Sequence, residues 1–499
     1  MTQQQRIGVV LGCLVLLSAF SIVLVEAQVQ DSRWSEPFRL SSEEGGVRDS
    51  AVVADQYGYV HAFWSESGMA SEGRSIIQYA RFDGVSWTEP IDVYVTGPNS
   101  EITQVEAAVD QSGILHLAWT GGFTGPLYYG TAPALDALSA RQWQRPRVLK
   151  TSLHRMELQL DSNGMAYILY TDPFSEEKGI YIVSTDDEGK TWSFPVRVDS
   201  DTPNGYEPDD VQFAIDSGDV FHAVWSDYDV SDANKIKWIR YARSIDSGRT
   251  WSTPETIDEV GSEGDELRAA GPRMIVQGQT VHVIWARVNA GPQRQHRFSV
   301  DDGQNWSGAQ WIFGGLNGQA GDALAVDGAG RVHFIGQIRF PQGIYHAYWD
   351  GTRWTQPDLI YLIRGSSEDV IGNRIHAQGI HLAVRAGNQL VTVFSNLETQ
   401  PRPLYTMYRT LEDVPPARLA ALPVPSASPV PSLSPTPPEA APADPTAAPA
   451  VARVDTGRPS PPGQSAASDA SPDRALWLGI LPVLLFIGGS IALRLVRRR

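Results

Sequence analysis

One eight-residue pattern occurs three times in this chain, as Thr185-x-Asp187-x-Gly189-x-Thr191-Trp192, Ser244-x-Asp246-x-Gly248-x-Thr250-Trp251 and Ser299-x-Asp301-x-Gly303-x-Asn305-Trp306. The copies start at 185, 244 and 299, and recurrence at 55 to 59 residues means that one supersecondary unit has been repeated. Ser/Thr, Asp and Gly at alternating positions suit a tight loop: side-chain oxygens accept from nearby backbone N–H groups and Gly supplies φ > 0. The closing Trp then plugs the loop into a sheet. Such a box is a folding device, because a catalytic constellation is needed only once per chain.

A second signature counts the repeats. Strands of the form hydrophobic-His-x-x-aromatic occur at Val60-His61-Ala62-Phe63-Trp64, Leu115-His116-Leu117-Ala118-Trp119, Phe221-His222-Ala223-Val224-Trp225 and Val281-His282-Val283-Ile284-Trp285. Looser copies start at Ala166, Val332 and Ile380, so the starts are 60, 115, 166, 221, 281, 332 and 380. A period near 50 residues with short strands predicts an all-β propeller of four-stranded blades, seven in number with six as the alternative. Each period reads as an inner strand, an Asp/Gly turn, the His-bearing strand, a third strand, the box or a shortened form of it, and an outer strand beginning Trp-x-x-Pro. Shortened boxes stand at Asp83 to Trp87 and Asp350 to Trp354. The last repeat lacks an outer strand, and Arg33-Trp34-Ser35-Glu36-Pro37 at the other terminus matches the missing piece. The N-terminal strand is therefore expected to close the ring and remove its open edges.

The three boxes resemble the Asp-box, or bacterial neuraminidase, repeat of the sialidase-like β-propeller superfamily. That resemblance implies a propeller whose boxes are structural. It does not by itself imply catalysis, since the box occurs in sialidases, other glycosidases and non-enzymatic binding propellers. Sialidases hold a substrate carboxylate with three arginines, and use a tyrosine with a glutamate partner as nucleophile and an aspartate as acid/base. Arg48 is placed like the first of those arginines, but its surroundings, Arg48-Asp49-Ser50, depart from the family pattern. Arg155, Arg273 and Arg374 are candidates by position only, and Tyr206 near Glu207 resembles the nucleophile pair, although Tyr206 is read as a loop residue.

The termini predict a compartment. Residues 1–27 read as a signal peptide, with an apolar run after Arg6 and small residues before a cleavage point at Ala27. The propeller is assigned to 28–412. Residues 413–473, rich in Pro, Ala and Ser, read as a disordered stalk. Residues 474–495 read as a transmembrane helix, and 496–499 as a cytoplasmic arginine tail. The expectation is a single-pass protein of the cell membrane, monomeric, with its ectodomain outside. Cys13, the sole cysteine, lies within the signal peptide, so the exported protein would lack disulfides and thiolate metal sites. A net charge of −17 argues against nucleic acid as a partner.

Strand starts converge on one face of a propeller, so chemistry is sought there. The candidates are Arg48, Asp49, Glu106, Arg155, Glu157, Asp210, Arg273 and Arg374, with Glu106 and Glu157 a possible carboxylate pair for glycoside hydrolysis. Further carboxylates at Glu66, 172–177, Asp227, Asp229 and 258–266 read as solvated loops, and their field would oppose an anionic ligand. His61, His116, His222, His282, His333 and His381 recur at one place per blade and are read as packing residues. Their separation around a ring is too great for one ion with bonds of about 2.0–2.1 Å. No metal site and no cofactor is expected. The predicted function is binding of a glycan or surface protein through the inner-strand face; the alternatives are an exo-acting, sialidase-like glycoside hydrolase and a scaffold of a surface complex.

Overall fold

The computed structural model describes residues 31 and 33–423, apart from 69–72, 98–99, 123–124, 261–267, 289–293, 315, 341, 364–378 and 396–400. The predicted signal peptide, nearly all of the stalk, the transmembrane helix and Arg374 lie outside the described residues. No helix among the described residues is long and apolar enough to cross a membrane.

Seven four-stranded antiparallel sheets make up the fold. Their inner strands are Gly46–Ala54, Gln104–Val109, Met156–Leu160, Tyr206–Ile215, Arg268–Gln277, Asn317–Val326 and His381–Arg385, in blades one to seven. In blade seven the outer strand is Phe38–Arg39, with Phe38 opposite Thr406 and Arg39 opposite Tyr405. The ring therefore closes through its N-terminal strand. Trp34, at the start of this segment, is buried against the blade-seven core with Leu390, Phe394 and Met407.

The His-bearing pattern is explained by hydrogen bonds inside the blades that carry it. In blade one, Asp55 sits in the turn after the inner strand, where its Oδ1 accepts from the N–H groups of Tyr57 (2.9 Å) and Tyr59 (2.7 Å). Its other oxygen meets His61 Nε2 at 3.2 Å, and His61 Nδ1 shares a hydrogen bond with the Tyr79 hydroxyl at 2.7 Å. Asp327, His333 and His346 repeat the arrangement in blade six. His222 with Tyr241 and His282 with His296 supply the equivalent ring contact in blades four and five. These imidazoles are buried and each has a partner at one ring nitrogen at least, while Nε2 of His222 and of His282 and Nδ1 of His296 have none among the described residues.

His381 is the exception, and corrects the reading of the seventh repeat. It stands at the start of the inner strand and not in the second strand, which is Gln389–Ser395. Register fixes this. Tyr408 O accepts from Ser35 N as Tyr348 O accepts from Thr355 N, so Val391, opposite Tyr408, occupies the place that His333 holds opposite Tyr348. The turn itself matches that of blade six, Val384 pairing Leu390 as Val326 pairs Val332, so the alignment was displaced by the motif-like Ile380-His381-Leu382 of the inner strand.

The repeated eight-residue loops have the local bonding their pattern demands. Gly189, Gly248 and Gly303 have φ of 81°, 78° and 76°, and their N–H groups donate to the hydroxyls of Thr185, Ser244 and Ser299 at 3.0, 2.9 and 2.9 Å. Asp187, Asp246 and Asp301 each accept from the backbone N–H four residues on. Gly303 has a further reason to be glycine: a Cβ there would lie 1.9 Å from the Tyr241 hydroxyl of the preceding blade. Trp306 packs edge-on to that tyrosine, and Trp192 does so on Tyr129; Trp251 joins the core between blades three and four. Each loop thus fastens one blade to its predecessor, at the end of the ring opposite the inner-strand starts.

Candidate functional site

The strand pairings place seven residues at one level of the channel, one from each inner strand. Ala51, Glu106, Glu157, Gln212, Arg273, Ala323 and His381 lie opposite Phe63, Ala118, Leu169, Val224, Ile284, Ile335 and Val393, which are equivalent positions of the second strands. Antiparallel partners point to the same side of their sheet, so all seven share one orientation. Four successive blades, two to five, contribute Glu, Glu, Gln and Arg to this level.

Above it, the inner strands of blades one, four, five and six each carry an extra residue, between Val47 and Ser50, Asp209 and Gln212, Ala270 and Arg273, and Gln319 and Asp322. Such bulges break the alternation and re-aim side chains beside a site. Asp49 and Asp210 sit in two of them, and Asp210 adopts φ of 50°, which Asp tolerates better than most residues.

Several of the residues singled out from the sequence join neighbouring blades. Asp49 accepts the Val105 N–H at 2.9 Å, and the Gln104 amide bonds Met156 through both its oxygen and its nitrogen. Arg155 approaches Asp209 (3.6 Å) and Asp210 (4.0 Å), and His154 meets the same Asp209 at 3.2 Å. Arg48 donates to Glu101 at 2.7 Å, near solvent. Arg273 donates from Nε to the Asp322 carbonyl at 3.0 Å and from Nη1 to that of Pro272 at 2.9 Å, and no carboxylate among the described residues lies within 4.0 Å of it. Arg48 and Arg155 are thus engaged with carboxylates, and Arg374 lies outside the described residues. The arginines do not form one open carboxylate clamp among the described residues.

Glu106 and Glu157 are different. Glu157 accepts from the Gln212 amide, and both glutamates are partly buried residues with their carboxyls poorly hydrated. Poor hydration disfavours their charged forms. Burial pushes Glu157 up to about 8, with Asp49 adding to the rise and Arg273 and Arg155 opposing it. Burial raises Glu106 well above the usual carboxylate range, and the charges of Glu157 and Asp49 raise it further. Asp49 rises to about 7 for the same first reason. Groups from blades one, two, three and five act on one another here, which requires that they converge on the axis.

The mouth is less acidic than its sequence suggests. Glu66, Asp227 and Asp258 are not solvated loop residues: they are buried and accept the indole N–H of Trp64 (2.9 Å), Trp225 (3.0 Å) and Trp285 (2.7 Å). Asp172 is also buried, paired with Lys150 at 2.8 Å. Tyr206 begins a strand and packs edge-on to Trp238; the tyrosine that bonds Glu207 is Tyr228, directly across the strand pair, at 2.8 Å. Cross-strand register created that pair, which adjacency in sequence could not reveal. No group of three or more metal-ligating side chains occurs among the described residues.

No protein-family model matches the chain, and no curated protein does. Solved structures match its fold. The polysaccharide lyase Uly1 superimposes with a TM-score of 0.52 at 10% identity, over 76% of this chain and 99% of that one. A family PL25 ulvan lyase bound to -[GlcA(1-4)Rha3S]- gives 0.50 at 11% identity, over 76% and 96%. The NanB sialidase of Streptococcus pneumoniae gives 0.38 at 13% identity, over 79% and 72%. The seven-bladed ring and the two lyase matches agree on a propeller fold.

Proposed function

We propose that this propeller binds a saccharide at the inner-strand mouth of its channel. The observation that carries the reading is the run of Glu106, Glu157, Gln212 and Arg273 at one level, a set of hydrogen-bonding groups on four adjacent blades. Such convergent polar groups in a concave setting are what a hydroxyl-rich ligand requires. Two polysaccharide lyases of the same fold support a saccharide as the ligand class. The N-terminal 1–27, the stalk, the 474–495 helix and the arginine tail complete the proposal: a monomeric cell-surface receptor for a glycan, with a glycan-bearing surface protein as the partner.

A second reading, exo-acting glycoside hydrolysis, is favoured by one feature. With its carboxyl at about 8, Glu157 is largely protonated at neutral pH and can donate a proton to a leaving oxygen. A scaffold role remains the third reading, and predicts that the channel level can be altered without loss.

Titration of the purified ectodomain against a panel of neutral, sialylated, uronic and sulfated oligosaccharides tests the proposal. Binding by the wild type and a loss of about tenfold or more in Glu106→Gln or Glu157→Gln supports it. Binding that survives both substitutions and Arg273→Ala moves the site elsewhere. Release of sugar from a fluorogenic glycoside, abolished in Glu157→Gln, selects the hydrolase.

A further inference from the structure

Among the described histidines of the ring, His381 alone stands in an inner strand. It completes the level formed by Glu106, Glu157, Gln212 and Arg273, on the side of the channel between blades six and one. Its neighbours at that level are Ala323 and Ala51, which bring no polar group to the imidazole. The second-strand histidines 61, 222, 282 and 333 are fully enclosed and bonded to a tyrosine or a second histidine. His381 is only half-buried, and its ring nitrogens meet no hydrogen-bond partner among the described residues. The one bond recorded at this residue is to its backbone carbonyl, from Thr392 Oγ1 at 2.9 Å.

We infer that His381 is a ligand-contacting residue of the channel, gripping from blade seven the neutral sugar that Glu106, Glu157 and Gln212 hold from blades two to four. The inference rests on the saccharide reading and narrows it to a class. An imidazole without a carboxylate beside it is neutral near pH 7, here all the more because burial, aided by the Arg273 charge, lowers it to about 4. A neutral imidazole offers one donor and one acceptor, which matches a pair of sugar hydroxyls and gives no charge to hold an anion. Across the channel Glu106 and Glu157, whose charged forms burial disfavours, likewise offer hydrogen-bonding groups, and the guanidinium of Arg273 is already bonded to two backbone carbonyls through Nε and Nη1. Neutral hydroxyls suit both walls.

Diethylpyrocarbonate labelling of the full ectodomain, read residue by residue by peptide mass spectrometry, tests the geometry without any ligand. His381 is expected to be modified at least tenfold faster than His61, His222, His282 and His333, an estimate that reflects one open and four enclosed rings. A rate no greater than theirs overturns the inference. The same protein is then titrated with the oligosaccharide panel. A neutral member should slow the His381 adduct, and His381→Ala should weaken its binding about five- to tenfold, as expected for loss of neutral hydrogen bonds. His381→Gln, which keeps a donor and an acceptor, should restore part of that loss. Failure of the wild type to bind any member overturns the saccharide reading and this inference together. Binding that falls in Glu157→Gln but is unchanged in His381→Ala, or that is confined to anionic members, overturns this inference alone.

Discussion

Arg294 and Asp322 meet as a fully buried ion pair across the junction of blades five and six, with Nε 2.9 Å from Oδ2 and Nη2 2.6 Å from Oδ1. The fork is bidentate, and Nη2 also donates to the Gln337 carbonyl at 3.0 Å. Asp322 lies in the inner strand of blade six, and its carboxylate is taken up by this pair. Removing one partner strands the other charge in a poorly hydrated site, so Arg294→Ala should cost about 3–5 kcal/mol. The double variant Arg294→Met, Asp322→Leu should cost less than the single one. Chemical denaturation of the three proteins checks the order, and a single-variant loss below about 1 kcal/mol contradicts it.

Stability should pass through a maximum with pH. His222, His282 and His381 are lowered to about 4 by burial, so between about 4 and 6.5 the unfolded chain binds more protons than the folded one. Stability therefore rises with pH across that window and is level above it. Asp49 at about 7 and Glu157 at about 8 act in the opposite sense, because the folded state holds their protons after the unfolded state has released them. Their contribution is complete below the ordinary carboxylate range and falls as pH rises through 7 to 8. The decline between pH 6.5 and 8 should flatten in Glu157→Gln, as measured by urea denaturation at each pH. An equal slope in wild type and variant would show that this carboxyl titrates normally.

The box aspartates should be matters of stability and not of binding. Asp246 accepts from Thr250 N at 2.9 Å and from its hydroxyl at 2.7 Å, and bonds the Ser244 hydroxyl at 2.8 Å. Asp246→Ala removes all three at a partly exposed loop, for an expected loss of about 1–2 kcal/mol. Saccharide binding should be unchanged, since the box lies at the other end of the ring. A stable variant with impaired binding would reverse the assignment of the two faces.

Blade number, strand order and the terminal closure were legible because they rest on spacing and on residues whose local bonding is self-contained, such as the Ser–Asp–Gly–Trp box. The candidate site was legible only in part. Glu106 and Glu157 broke an apolar strand pattern and could be noticed. Asp227 and Asp258 read as solvated loop residues, yet serve as acceptors for Trp225 and Trp285, and nothing in the sequence announces that role. His381 was grouped with the packing histidines because Ile380-His381-Leu382 imitates the second-strand motif. The true second strand, Gln389–Ser395, has Val391 in place of the histidine, and only register across the sheet exposes that.

The ring is fastened at two places in blade seven, and truncations should separate them. At the rim, Ser35 N donates to Tyr408 O at 2.8 Å and Leu40 N to Leu404 O at 2.8 Å, while Trp34 fills the core. At the inner turns, the chain does not leave the ring at residue 412. Asp413 pairs with Arg331 of blade six at 2.6 Å, Ala417 N donates to Ala386 O of blade seven at 2.8 Å, and Ala420 N to Gln56 O of blade one at 2.8 Å. Leu411 and Val414 are buried in the blade-seven core, and Leu419 lies so close over Gly58 that a Cβ there would be 2.6 Å from its Cδ1. Residues 411–420 thus bridge three blades. Burying a Leu or Val side chain contributes about 1.5–3 kcal/mol, so a chain ending at 410 should be less stable by a few kcal/mol than one ending at 423. Ala420→Pro, which removes only the donor to Gln56, should cost about 1 kcal/mol. Deletion of 28–40 should cost more than either, because it also bares the edge of the third strand and invites association between chains. Thermal melts and light scattering of the four proteins read both effects, and equal melting temperatures for the chains ending at 410 and 423 would show that the bridge contributes nothing.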